Sequence, residues 1–154
     1  MLFELLKFEE GYREKAYLCS EGYPTIGIGT KLGPKNASLL NYTMVVTEHA
    51  AKALLDDEVK KIRNELVKRR WYIELDSDRQ TIIKSMAYQM GCSGLFKFKK
   101  MIAALERKDY SSAAKEALDS RWAKQTVARA ERHAAVLQWG NLNEVYEGLI
   151  ECKK

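Results

Sequence analysis

The chain has 154 residues, of which 46% are hydrophobic and 31% charged, and it carries a net charge of +5. That length suits one compact unit, in two lobes sharing a helix at most, and two prolines leave little room for a linker or a disordered tail. No apolar run approaches the ~18 residues of a membrane span, and MLFELLKFEE lacks the basic start, long apolar stretch and cleavage site of a signal peptide. The chain is therefore expected to be made in the cytoplasm without stable membrane insertion. Cys19, Cys92 and Cys152 are odd in number and unrelated in spacing, which points to neither a disulfide framework nor a metal cluster. The basic excess favours an anionic partner. It is interspersed with acids, as in VKKIRNELVKRR, and no nucleic-acid-reading motif accompanies it, so solvated helix faces explain each cluster equally well.

In chain order, Leu2, Phe3, Leu5, Leu6 and Phe8 make a short apolar helix that Gly11 can end. From Tyr12 to Thr30 short alternating pieces with Gly22, Pro24, Gly27 and Gly29 read as a small twisted β-hairpin region. Thr47 is placed to cap a long helix in which Ala50, Ala53, Leu54, Val59, Ile62 and Leu66 recur at helical spacing. Ser77 with Gln80 makes a capping box for the next helix, which Gly91 is expected to stop. Further helices are predicted over Leu95 to Glu106, Ser111 to Ser120, Val127 to Gln138 and Asn143 to Ile150. The sum is α+β: a little sheet near the front, then a helical lobe.

The stretch FEEGYREKAYLCSEGYPTIGIG, Phe8 to Gly29, concentrates the chemistry. TIGIG lacks both the Lys-Ser/Thr of a P-loop and the strand-to-helix setting of a dinucleotide site. A carboxylic acid at the end of an apolar helix, facing a hairpin edged with polar groups, suits general acid catalysis instead. Glu9 and Glu10 both lie above apolar residues and are not separated by helical geometry, and either can equally be a solvated helix-end carboxylate.

Glu10, Cys19 and Thr25 stand with eight residues between the first pair and five between the second. This resembles the signature of the phage-type lysozymes, glycoside hydrolase family 24: glutamate, then aspartate or cysteine, then threonine. The resemblance extends to EGY and TIGIG, to AYQMG (Ala87 to Gly91), to DSRWAKQT (Asp119 to Thr126), and to Arg129 and Arg132, and is weakest between Lys31 and Met44.

It implies a two-lobed lysozyme-like fold in a single domain over 1–154, with a β-rich lobe over about 12–46, a bridging helix over about 47–66 and a helical lobe over about 67–154, near which helix 1–10 packs. The implied activity is a muramidase cutting the β-1,4 bond between N-acetylmuramic acid and N-acetylglucosamine in peptidoglycan, without cofactor or metal, the alternatives being a lytic transglycosylase or a non-catalytic wall-binding relative. Glu10 would be the general acid, and Cys19 and Thr25 would organise the attacking water in an inverting reaction. The glycines, Gly29 among them, would let the backbone lie close beneath a sugar. Arg129 would hold Glu10, and Tyr88 and Gln89 would line the cleft. Beside the ionised glutamate, the Cys19 thiol is expected above its ordinary pKa of ~8.5 and mostly protonated at neutral pH.

Trp122 and Trp139 are expected in the core, and His49 is expected to be a surface or packed histidine. Thr30 stands where part of the family has histidine. The expected protein is a monomer whose partner is peptidoglycan and not nucleic acid, an endolysin held in the host cytoplasm until a holin-type lesion releases it to the wall.

Overall fold

The computed structural model describes residues 1–151, so Cys152 lies outside the described residues. The element order is α+β, with three short strands near the front and helices after them. Two compact units divide the chain, Met1–Lys60 and Lys61–Lys154, and the boundary falls inside a continuous helix.

In the first unit, α1 (Leu2–Glu10) buries Leu5 and Leu6 completely, and Gly11 ends it at φ +73 by donating its N–H to the Lys7 carbonyl. Strands β1 (Arg13–Leu18), β2 (Pro24–Gly27) and β3 (Thr30–Lys31) form an antiparallel sheet in that order. Tyr17 pairs with Thr25 and Leu18 with Pro24, whereas Arg13 pairs with Gly27, so β1 holds two more residues than β2 over the same interval. That irregularity bends β1 and lets the Arg13 guanidinium fold back over the Tyr17 ring, 4.4 Å from its centre.

All four residues of β2 are buried, as a central strand requires. Helix α2 (Glu48–Leu66) begins where Thr47 accepts the Ala50 N–H, the cap expected from the sequence. Its Ala51 lies so near β2 that a Cβ on Gly27 would come within 3.0 Å of the Ala51 methyl group.

The second unit holds the rest of α2 and the helices α3 (Arg70–Ile73), α4 (Ser77–Leu95), α5 (Lys99–Glu106), α6 (Tyr110–Leu118), α7 (Arg121–Gln125), α8 (Val127–Trp139) and α9 (Leu142–Val145). Alanines 113, 114 and 117 of α6 and 130 and 134 of α8 are buried, and these small faces let the two helices pack closely. Ile82, Ile83, Met86, Leu95, Met101, Leu137 and Tyr146 are buried in the same unit.

Several sequence expectations shift here. The cap of α4 is Asp76, which accepts from the Asp78 and Arg79 N–H groups, while Ser77 is the first helical residue and Gln80 reaches back to the Tyr72 and Leu75 carbonyls. Gly91, at φ +77 and ψ 158, is non-helical and divides α4 into two helical runs that meet at a kink, so the run from Ser77 does stop there, as expected, and a second run carries on to Leu95. The helix expected from Leu95 begins at Lys99, and the one expected over Asn143 to Ile150 is the single turn of α9, after which the buried Tyr146 and the left-handed Gly148 carry the chain on. Trp122 is buried, but Trp139 is 72% exposed, since α8 ends on it at the left-handed Gly140.

Basic charge is unevenly shared: residues 1–60 hold seven Lys and Arg against nine Asp and Glu, and residues 61–154 hold nineteen against twelve. The excess therefore belongs to the helical unit. Among the described residues no helix is long and apolar enough to cross a membrane.

Candidate active site

Glu10, Cys19, Thr25 and Gly29 all belong to the first unit. Glu10 is the last residue of α1, half-buried, and its carboxyl group lies over Gly29. A Cβ on Gly29 would sit 3.1 Å from Glu10 Oε2 and 3.4 Å from its Cδ and Cγ, and Gly29 has φ +75. Glycine is needed there twice over, for the backbone conformation and for the space.

Cys19 follows β1 at the start of the turn into β2. Its N–H donates to the Tyr23 carbonyl at 2.9 Å, and its own carbonyl accepts from Gly22 at 2.8 Å, with Gly22 at φ +84. The Thr25 hydroxyl donates to the same Tyr23 carbonyl at 2.8 Å. One backbone oxygen thus ties the positions of Cys19 and Thr25 together. Thr25 is 2% exposed, held by β2.

Burial pushes the Cys19 thiol up, as does the charge of Glu21, but hydrogen bonds from the Tyr23 and Glu21 backbone N–H groups and from the Thr25 hydroxyl outweigh them and set its pKa below the ordinary thiol range. This corrects the expectation of a raised thiol: the decisive neighbours are backbone dipoles, which no count of nearby charges reveals. The Thr25 hydroxyl has one proton, shared in turn between the Tyr23 carbonyl and the sulfur. Tyr17, unremarked in the sequence, also belongs here; burial and then the charge of Glu10 push its phenol up, against the opposing pull of Arg13.

The remaining candidates lie in the second unit. The Gln89 carbonyl accepts from Trp122 Nε1 at 2.8 Å, which fixes the amide, and Tyr88 is half-exposed beside it in sequence. Arg129 is 6% exposed and so is no surface residue of α8. It donates from Nη2 to the Ser85 carbonyl at 3.2 Å and to Ser85 Oγ at 3.0 Å. Behind Ser85 the polar chain continues, with Ser85 Oγ 2.8 Å from His133 Nε2 and His133 Nδ1 3.0 Å from the Tyr146 hydroxyl. His133 is fully buried, and burial, with the charges of Arg129 and Arg132, holds it well below the usual histidine range, as a neutral ring. Sequence patterning gave no sign of this network, since its members are brought together only by helix packing.

In chemical terms the first unit offers a carboxyl group at a helix end, a thiol of lowered pKa and a threonine hydroxyl around one small sheet. Residues 7–144 match the family model described as Phage lysozyme. The chain is 30% identical to "Probable T4-type lysozyme 1" of Dictyostelium discoideum, over 91% of this chain and 95% of that protein. It is 30% identical to "Pre-baseplate central spike protein Gp5" of Enterobacteria phage T4 over 90% of this chain but 28% of that protein, and 28% identical to "Endolysin" of Acyrthosiphon pisum secondary endosymbiont phage 1 over 80% and 77%. The matched region takes in the α1 end, the sheet and the helical unit together, and the chain belongs to the phage lysozyme family, glycoside hydrolases that act on peptidoglycan.

Proposed function

We propose that this lysozyme cuts the β-1,4 bond between N-acetylmuramic acid and N-acetylglucosamine with inversion, using Glu10 as the acid and Cys19 with Thr25 at the water. The observation that carries the assignment is the placing of all three in the first unit, Glu10 over Gly29 and the other two on the Tyr23 carbonyl.

In the proposed step the glycosidic carbon–oxygen bond breaks, its electron pair stays on the leaving oxygen, and that oxygen takes the Glu10 proton. A water held by Thr25 Oγ1 and the Cys19 sulfur attacks the anomeric carbon from the opposite face and gives its proton to the thiolate, so one water is consumed. The lowered thiol pKa supports this role by enlarging the thiolate fraction at neutral pH. Tyr88, Gln89 and Arg129 are proposed as supporting residues, on the family pattern alone.

We further propose that the protein lyses a bacterial host from within, crossing the inner membrane through a holin-type lesion and acting as a monomer. The basic helical unit suits the anionic wall.

The test is digestion of purified peptidoglycan by the wild type and by Glu10→Gln. An amide has no proton to donate, so the variant is expected to lose at least ~100-fold in rate. Mass spectrometry should find hydrated reducing ends, and nuclear magnetic resonance of fresh product should find the α-anomer. Anhydro sugars would replace hydrolysis by transglycosylation, a fresh β-anomer would exclude inversion, and near-normal activity in Glu10→Gln would remove Glu10 from its role.

A further inference from the structure

Tyr17 is the residue at this site whose presence the proposed reaction does not yet explain. It stands two residues before Cys19 on β1 and directly across from Thr25 on β2. Strand side chains alternate between faces, and the ladder continues past the end of β1 through the Cys19 N–H to the Tyr23 carbonyl. Tyr17, Cys19 and Thr25 therefore share one face of the sheet. Glu10 is near enough for its charge to act on the same phenol.

The ring is braced. Arg13, folded back by the irregularity in β1, lies over its face at 4.4 Å, so one side of the ring is occupied by a cation and the hydroxyl end is left as the working edge. Tyr17 is only half-buried, and its hydroxyl has no hydrogen-bond partner among the described residues. Between a glutamate and a thiol that change charge during a turnover, a phenol that keeps its proton is a standing donor.

We propose that Tyr17 is a substrate-orienting residue of the muramidase site, its O–H donating a hydrogen bond to an oxygen of the saccharide, a ring substituent hydroxyl or N-acetyl carbonyl, on the face shared with Cys19 and Thr25. This rests on the muramidase reading and adds a residue to it. Arg13 acts through Tyr17 by fixing the ring, and is a positioning residue.

The experiment compares wild type, Tyr17→Phe and Arg13→Gln on soluble peptidoglycan fragments, with kcat and KM separated, and measures fragment binding to Glu10→Gln and to Glu10→Gln/Tyr17→Phe by calorimetry. Tyr17→Phe keeps the ring and the strand, so its thermal midpoint should match the wild type. One neutral hydrogen bond contributes up to roughly tenfold, so kcat/KM is expected to fall ~10-fold in Tyr17→Phe and fragment affinity to fall by a similar factor in the double variant. Arg13→Gln should raise KM ~2- to 3-fold with kcat held, as looser orientation of one donor requires.

Unchanged kcat/KM and unchanged affinity on losing the hydroxyl would overturn the proposal. So would a loss in activity matched by a lower thermal midpoint with affinity intact, since that is a packing effect. If the wild type binds the fragments without cutting them, the muramidase reading fails by itself, and weaker binding in the double variant would still uphold Tyr17 as a saccharide contact.

Discussion

Replacing Gly29 by alanine tests the placement of Glu10 with a single methyl group. The residue has φ +75, where an L side chain costs ~1–2 kcal/mol. For a chain of this size each kcal/mol lowers the thermal midpoint by ~2–4 °C, so Gly29→Ala should melt ~2–8 °C lower. The methyl group would also arrive 3.1 Å from Oε2 and 3.4 Å from Cδ of Glu10, tighter than ordinary contact, and the carboxyl group must give way by a few tenths of an ångström.

A catalytic group displaced by ~1 Å can cost ~100-fold, so a fraction of that distance is expected to cost about tenfold in kcat/KM. Gly148→Ala is the matched control: φ +72, with nothing within 4 Å of the added carbon. It should show a comparable loss of midpoint and wild-type rate. The assays are differential scanning calorimetry and initial rates on peptidoglycan at a temperature where both variants are folded. If Gly29→Ala melts like Gly148→Ala but cuts as fast as the wild type, Glu10 does not depend on the Gly29 surface and the reasoning fails.

Two further outcomes are expected. Because hydrogen bonds lower the Cys19 pKa, iodoacetamide should inactivate the enzyme at neutral pH faster than it alkylates a free thiol; Cys19→Asp should be active and resistant, Cys19→Ala should lose most activity, and alkylation no faster than glutathione's would contradict the lowered thiol. His133 is held below its unfolded value of ~6.5, so its contribution to stability is whole above that pH and is lost as pH falls toward the folded value, by up to ~1.4 kcal/mol per pH unit. Urea unfolding from pH 8 to 5 measures the slope, and a His133 ring that titrates near ~6.5 by nuclear magnetic resonance would refute the assignment.

What the sequence made legible was local. Thr47 declared a helix start, and the glycines from Gly22 to Gly29 declared turns, because cap chemistry and positive φ act over three or four residues. Asp76 and Ser77, as adjacent capping residues, offer the same oxygen chemistry, and only the backbone settles which one is outside the helix. The proposed helix near the C-terminus was cut to one turn because Tyr146 turns into the core to meet His133, a contact between residues thirteen apart that no helical period encodes. Arg129 sits on an alanine-rich helix whose two faces look alike in sequence, and its burial follows from Ser85 on α4, 44 residues away. The candidate trio is legible only through its resemblance to the family signature, and the state of its thiol is not legible at all, since Cys19 responds to N–H groups that align only when the turn closes.

That turn also bears on how the site can change. Cys19 is located by its own main chain, through the Tyr23 oxygen and the Gly22 N–H, and neither bond consults the side chain. Exchange of thiol for carboxylate at this position therefore alters the acidity presented to a water while leaving the point of presentation fixed. Thr25, tied to that same oxygen from β2, keeps its distance from whichever group is installed. Mutation can explore reactivity here without a search through geometry, and the main chain, more than any one side chain, is what such a lineage would have to preserve.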